Sequence, residues 1–418
     1  VTDNRTLETR DYYVIGVVVS SVLYNCVLAM INANVMRLGF AHVALTEILI
    51  LFGGLVFILR KGLFEEDIGA LLFAVFTLAM AAYMSAVNGT VFIDYFRNVL
   101  IIFCFAILGT WSNRGTVRTA FKWSCWCILG GLLIEIFFLD LYGTLFYPMS
   151  YFENTRGLEQ ISFDGSKLFQ NVLRIPGRFS FGIIDHRAAS IFLEQVSLAN
   201  FCGVLLIFLA TFWSNLKRGE RLLFFSTIVL ILLTNDSRTM LMFSFVCLAG
   251  YFLFPRIPTA WTLVYMPLVL LLGFLVYFLR PDASGDTLDG RVVLTVKHIL
   301  ETDIFAVLGL EAAKAAQFAD SGYVYAVYAG TVFGLIFFWL FVCLFPAGKT
   351  AEQRRFAHLL SIFLFVNMMI GGNAVFSIKV AALLWFLAGY LKFAPGGRES
   401  RDPTPALQAG VTPVRKQT

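Results

Sequence analysis

Apolar positions run in long blocks along this chain, separated by short clusters of polar and charged residues. Blocks of roughly 18 or more residues recur from end to end, and each is long enough to cross a hydrocarbon core as a helix. They do not alternate in hydrophobicity, which excludes the strands of an outer-membrane barrel. The pattern predicts an all-α, polytopic integral membrane protein of about twelve transmembrane helices. Their centres fall near Leu23, Leu51, Leu78, Ile101, Leu132, Val204, Val229, Val246, Leu270, Phe333, Phe363 and Trp385. Helices in lipid must satisfy their own backbone hydrogen bonds, so irregular segments belong outside the bilayer or in a wet cavity.

Composition agrees: 59% of residues are hydrophobic and only 14% charged, a balance no soluble domain shows. The net charge of +5 is scattered between the blocks and not gathered in a stripe, so nucleic acid is not an expected partner. The first block, from about Tyr13 to Ala33, is too long for a signal-peptide core and reads as a retained span. Cys26, Cys104, Cys125, Cys127, Cys202, Cys247 and Cys343 all lie in or beside apolar blocks. They read as small buried hydrophobes, with no metal site and no disulfide framework.

Short polar connections on one side carry Arg60 and Lys61; Arg114, Arg118 and Lys122; Lys217, Arg218 and Arg221; Arg256; and Lys349, Arg354 and Arg355. Those on the other side are poor in lysine and arginine, Arg37 excepted. The positive-inside rule then places both termini in the cytoplasm. Residues 1–396 form a single transmembrane domain, and 397–418, rich in Pro, Gly, Arg and Lys, read as a disordered cytoplasmic tail. Two long loops, about 141–188 and 280–321, fall on the outer side, and loops of that length are usually functional or disordered. The first carries Phe152, Ile161, Phe163, Leu168, Phe169, Val172, Phe179 and Phe181 and should fold against the membrane surface. In the second, helices are expected from Arg291 to Leu300 and from Leu310 to Phe318.

The polar run Asn235-Asp236-Ser237-Arg238 interrupts an apolar stretch. The preceding run, Leu222 to Thr234, has about 13 residues and reaches about 20 Å at helical rise, short of a full core. The turn is therefore expected in a recess, with Asp236 or Ser237 capping a helix that begins near Arg238. Helix N-termini attract anions, and arginine binds phosphate through paired donors. The alternative is an ordinary loop with Arg238 snorkelling to the surface.

A second constellation runs from Asp185 and His186 through Arg187 and Ser190 to Glu194 and Gln195. Read as one helix, it puts Arg187 and Glu194 on a shared face, with Glu194 about two turns into an apolar span. An ionisable group at such depth is costly and marks either function or a structural pair with Arg187. A third set is Arg280, Arg291, Lys297 and His298, followed by Asp320-Ser321-Gly322-Tyr323. Arg291 and His298 are seven apart and share a helical face. Asp320 is a candidate cap or proton acceptor. Asp282, Asp286 and Asp289 do not match a calcium loop and read as solvated turn residues. Asp94 and Arg97 read as an ion pair, Lys379 as an isolated charge, and His42 and His358 as structural or interfacial.

Taken together, these residues resemble the Wzy-type polysaccharide polymerase and O-antigen ligase superfamily. Arg187-x-x-Ser190-x-Phe192-x-Glu194 is similar to the arginine-to-glutamate motif that opens a mid-chain span in those polymerases. Ser237-Arg238 resembles the family's Ser-Arg motif after a short helix, and Arg291, Gly309, Asp320-Ser321-Gly322-Tyr323 and Gly330-x-x-x-Gly334 resemble its large outer loop and following helix. The ligase branch usually carries a histidine near position 320, so aspartate there favours a polymerase.

The resemblance implies a GT-C-like glycosyltransferase of the bacterial inner membrane, with no cofactor and no metal. It would join undecaprenyl-diphosphate-linked repeat units at the periplasmic face into a surface or exopolysaccharide. Arg187, Glu194, Arg238, Arg291 and Asp320 would be catalytic, and His186, Ser237, His298 and Tyr323 substrate-binding. The implied partners are the lipid-linked glycan, membrane lipid, a chain-length regulator and a flippase. The rivals are an O-antigen ligase, a peptidoglycan glycosyltransferase of the shape, elongation, division and sporulation class, and a lipid-linked glycan transporter or flippase.

Overall fold

The computed structural model describes residues 7–158, 167–174, 180–285, 287–318, 320–372 and 376–393. Ile161, Phe163, Phe179, Asp286 and the C-terminal tail lie outside them. Sixteen α-helices follow in order among the described residues: α1 (Thr9–Asn34), α2 (Phe40–Lys61), α3 (Ile68–Asn88), α4 (Ile93–Thr110), α5 (Arg114–Phe137), α6 (Leu139–Phe146), α7 (Pro148–Arg156), α8 (Gln195–Phe212), α9 (Arg218–Asn235), α10 (Arg238–Leu253), α11 (Thr262–Leu279), α12 (Leu288–Glu301), α13 (Ile304–Val307), α14 (Gly322–Leu344), α15 (Ala351–Ile370) and α16 (Ile378–Leu391). No strand occurs among these residues.

Nine helices among the described residues are long and apolar enough to cross a membrane: α1 to α5, α8, α10, α11 and α14. The chain is thus all-helical and compatible with a polytopic membrane protein. The other three expected centres, Val229, Phe363 and Trp385, also fall in helices, namely α9, α15 and the 14-residue α16.

Burial separates a centre from a rim. In α8, 83% of the span is buried inside the protein, against 17% in α11, so α8 belongs to the core and α11 turns most of its surface outward. α16 buries every one of its residues, and α15 buries 14 of its 20. Large apolar residues such as Phe52, Leu72, Phe245, Leu271 and Phe278 stay exposed on α2, α3, α10 and α11. Exposed apolar surface on this scale is what lipid covers and water does not. The axis of the core is the α4–α16 pair, which packs through glycine. A Cβ on Gly389 would collide with the Ala106 carbonyl, and one on Gly109 with the Phe386 carbonyl. Small residues of this kind let helices approach to backbone contact where no hydrophobic force drives them together.

The first long loop is not a loose cover. It contributes α6 and α7, and Phe152, Leu168, Phe169 and Val172 are all buried. Tyr151 donates to Asn25 Oδ1 at 2.7 Å, tying α7 to α1. In the second long loop α12 matches the expected helix, and Ala312–Phe318 forms a 3-10 helix. The cysteines are free thiols, buried except for half-buried Cys127.

Candidate anion-binding site at the α9–α10 turn

Of the polar residues singled out above, Glu194, Ser237 and Ser321 cap or precede the starts of α8, α10 and α14, and Asn235 ends α9. The α9–α10 turn is built by local chemistry. Asp236 takes a left-handed conformation, φ 57°, which an Asx side chain tolerates and which ends α9. Ser237 then caps α10, its hydroxyl accepting from the Met240 N–H at 3.4 Å, and Arg238 is the exposed first residue of that helix.

Asn235 and Asp236 are almost wholly buried, so the turn does sit in a recess, though not because its helix is short. α9 begins at Arg218 and has 18 residues. The recess comes from the first long loop, which folds over the turn. Arg174 Nη2 donates to Asp236 Oδ2 at 2.9 Å, and the Phe181 N–H donates to Oδ1 at 2.9 Å. Arg187 Nε donates to the Asn235 carbonyl at 3.1 Å. Asn235 Nδ2 in turn donates to the carbonyls of Ala188, 2.6 Å, and Gln195, 2.9 Å. Arg174, Arg187 and Arg238 are thereby gathered at the N-terminus of one helix, an electrostatic setting that favours an anion. Arg174 escaped sequence reading because nothing local marks it.

The segment from Arg187 to Glu194 is not the helix expected. Ser190 and Leu193 have φ of 49° and 64°, and a 3-10 turn covers Ser190–Phe192. The pull comes from Glu135 near the end of α5. Its buried carboxylate accepts from the N–H groups of Ala189 (3.0 Å) and Ser190 (2.6 Å). His186 is buried, with its Nε2 3.3 Å from the same carboxylate.

Glu194 is therefore the N-cap residue of α8 and not a residue two turns inside it. Its partners are Lys379, Nζ to Oε1 at 2.8 Å, and Arg156, Nη1 to Oε2 at 2.9 Å; Ser197 Oγ donates to Oε1 at 2.6 Å. The expected pairing with Arg187 does not form, and Lys379 is not isolated. Burial alone would raise the Glu194 carboxyl, but the charges of Lys379 and Arg156 outweigh it and hold it well below the usual carboxylate range. A carboxylate so held is a poor proton acceptor. A neighbouring network continues the theme: Arg97 pairs with Asp94 at 3.1 Å as expected, and also reaches Glu47 at 3.4 Å, whose other oxygen accepts from the Tyr24 hydroxyl at 2.6 Å.

The third set divides. Arg291 and His298 do share α12, but Arg291 Nη1 donates to the Ile370 carbonyl at 3.1 Å, at the end of α15. His298 Nδ1 meets Ser321 Oγ at 3.1 Å. Ser321, not Asp320, occupies the N-cap position of α14, and Asp320 is exposed beside it. Tyr323 is 1% exposed and donates to the Phe365 carbonyl at 2.9 Å, which makes it a packing residue. Lys297 is exposed, and Arg280 pairs with Asp289 at 3.0 Å. α15, whose end meets Arg291, packs on α8 and α10 as well as on α12. His42 and His358 are structural, the first accepting from the Gly39 N–H and the second stacked on Phe254.

No family model, curated protein or solved structure matches the chain. The site must be read from its own chemistry.

Proposed function

We propose that the chain is a glycosyltransferase of the bacterial inner membrane that polymerises undecaprenyl-diphosphate-linked oligosaccharide repeats at the periplasmic face. In this reading it has twelve spans, both termini are cytoplasmic, and the turn at Asn235–Arg238 faces the periplasm. The observation that carries it is the closure of Arg187 on the Asn235 carbonyl, which brings an arginine from the first long loop to the helix start occupied by Arg238. Fixed cations at a helix N-terminus suit the charge that builds on a departing diphosphate.

In the proposed step, a hydroxyl oxygen of the acceptor's non-reducing sugar bonds to the anomeric carbon of the donor glycan. The bond from that carbon to the diphosphate oxygen breaks, the electron pair leaves with undecaprenyl diphosphate, and the hydroxyl proton passes to a carboxylate. Of the two candidate acceptors, Asp320 fits better, because Glu194 is saturated by two cations and a hydroxyl. Arg238 and Arg187, with Arg174 in support and Arg291 at the edge, stabilise the leaving group.

The test is reconstitution with purified lipid-linked repeats and no lipid A-core. Polymer ladders that vanish in Arg238→Ala, with single repeats left intact, support the reading. Transfer only when lipid A-core is added would make the chain a ligase. A second reading, a lipid-linked glycan transporter, draws on the buried Glu194–Lys379 pair, since intramembrane charges also mark transport routes. Flipping in proteoliposomes without any glycan product would favour it.

A further inference from the structure

At the end of α10 opposite the Asn235–Arg238 turn, four cations gather. Arg256 follows α10 in a 3-10 turn, Lys349 lies in the connection to α15, and Arg354 and Arg355 stand in the first turns of α15. Arg354 Nε donates to the Gly348 carbonyl at 2.9 Å and its Nη1 to the Pro255 carbonyl at 3.0 Å. Arg355 Nε donates to the Tyr251 carbonyl at 2.9 Å, and its guanidinium carbon lies 3.9 Å from the centre of the Tyr251 ring. Arg256 Nη1 donates to the Phe252 carbonyl. The arginines are thus held by backbone oxygens, most of them near the C-terminus of α10, where the helix dipole favours cations.

These bonds hold the charges without neutralising them. Among the described residues none of the four cations pairs with a carboxylate. Glu352 lies within Coulombic range of Arg355, but it spends its oxygens on Arg114 and Asn215. Arg256 and Lys349 are exposed. Arg355 is preorganised: Tyr251 holds its Nε and one face, while Nη1 and Nη2 have no partner among the described residues and neither is a buried atom. A guanidinium fixed in this way presents the fork of paired donors that matches a phosphate. Arg354 and Arg355 also stand near the positive end of the α15 dipole, which favours an anion beside them.

An apolar stripe leads away from this cluster. Phe245, Leu248 and Phe252 are exposed at 61%, 64% and 60% and share one face of α10 by their spacing. The stripe runs for about 10 Å at helical rise and ends at Phe252, whose carbonyl takes Arg256. We propose that this corner is a binding site for an anionic phospholipid, with its phosphate on the Arg355 fork among Arg256, Lys349 and Arg354, and an acyl chain along Phe252, Leu248 and Phe245. A soluble anion would satisfy the cations and leave the stripe unused, and a hydrocarbon alone would do the reverse. A zwitterionic phospholipid brings its own cation, which Arg256 and Lys349 repel. The site does not depend on the glycosyltransferase reading.

The experiment uses the full chain in phosphatidylcholine nanodiscs. Phosphatidylglycerol and phosphatidylcholine with the same diazirine-bearing acyl chain are photolysed separately, and adducts are mapped by peptide mass spectrometry. Phosphatidylglycerol should label the peptide spanning Phe245 to Phe252 about twentyfold more, at about fivefold for each of two cations engaged. Arg355→Gln should reduce the ratio to about fivefold. Arg60→Gln, which removes an exposed cation at the end of α2, should leave it unchanged. Equal labelling of wild type by the two lipids overturns the proposal. So does an equal fall in both variants, which would mean a diffuse surface charge and not a site. Loss of the preference to inorganic phosphate, but not to chloride at matched ionic strength, would make the occupant a soluble anion and also overturn it. Should Arg355→Gln fail to fold, the wild-type ratio with and without phosphate decides by itself.

Discussion

Glu194 and Lys379 meet at 2.8 Å although 185 positions separate them along the chain. One caps the start of α8 and the other opens α16, so a single ion pair ties the two most buried helices together at one end. Arg156 adds a second cation from α7. Removing Glu194 leaves Lys379 and Arg156 without the carboxylate they both contact, whereas removing Lys379 leaves Glu194 with Arg156. Breaking a buried pair typically costs about 3–5 kcal/mol. Glu194→Ala should therefore lower the melting temperature in detergent more than Lys379→Ala, and the double variant should recover part of the loss. Additive losses would show that the pair is not coupled.

The same carboxylate fixes a pH dependence. Its pKa is depressed in the folded state, so the stability it contributes is fully present above its unfolded value, about 4.3, and is lost as pH falls through the folded value. The gap in melting temperature between wild type and Glu194→Gln should be flat from pH 5 to pH 7 and should narrow only on stronger acidification. A gap that changes between pH 6 and pH 7 would mean that Lys379 and Arg156 do not hold the group charged.

Asn235 fastens the first long loop to the α9–α10 turn through the carbonyls of Ala188 and Gln195. Asn235→Ala takes its donor from the buried Ala188 carbonyl, at about 1–3 kcal/mol, and a second donor from Gln195, whose carbonyl still belongs to the first turn of α8. The loop should then open, and limited proteolysis near exposed Ile183 should speed up several-fold relative to wild type. Unchanged cleavage would place the anchoring in Arg174 and Asp236 alone.

Much of the fold was legible because blocks of apolar residues state helices directly, and every expected centre from Leu23 to Trp385 lies in one. The Ser237 cap and the helix at Arg238 were legible for the same local reason. The partners of Glu194 were not. Arg156 and Lys379 come from distant segments, and no periodicity links them. The helical reading of Arg187 to Glu194 failed because Ser190 and Leu193 adopt positive φ without glycine to announce it. A tertiary contact, Glu135 against two N–H groups, imposes that shape, and a local rule cannot see it. Nothing local announced the burial of Tyr323, whose hydroxyl reaches the Phe365 carbonyl on α15.

The α4–α16 contact gives a stability prediction independent of any charge. Gly389→Ala drives a Cβ into the Ala106 carbonyl, a backbone atom that cannot step aside, so the helices must part. A loss of several °C in melting temperature, or failure to accumulate, is expected, since overpacking of this kind costs about 1–3 kcal/mol or more. Gly16→Ala on α1, with nothing within 4 Å of the added Cβ, is the matched control and should be neutral.

The roles of the two carboxylates separate by experiment. Asp320 is exposed at the start of α14, so Asp320→Asn should leave the melting temperature within about 1 °C of wild type, as surface changes do. If it accepts the acceptor's proton, the same variant should lose about 10²- to 10⁴-fold in polymer formation from lipid-linked repeats, the span of general-base effects. Glu194→Gln should behave the other way round, with its loss of activity tracking its loss of folded protein. Normal turnover in Asp320→Asn would remove that residue from the chemistry. A Glu194→Gln protein that is fully folded yet inactive would return the proton-accepting role to the α8 cap, despite the two cations that hold it.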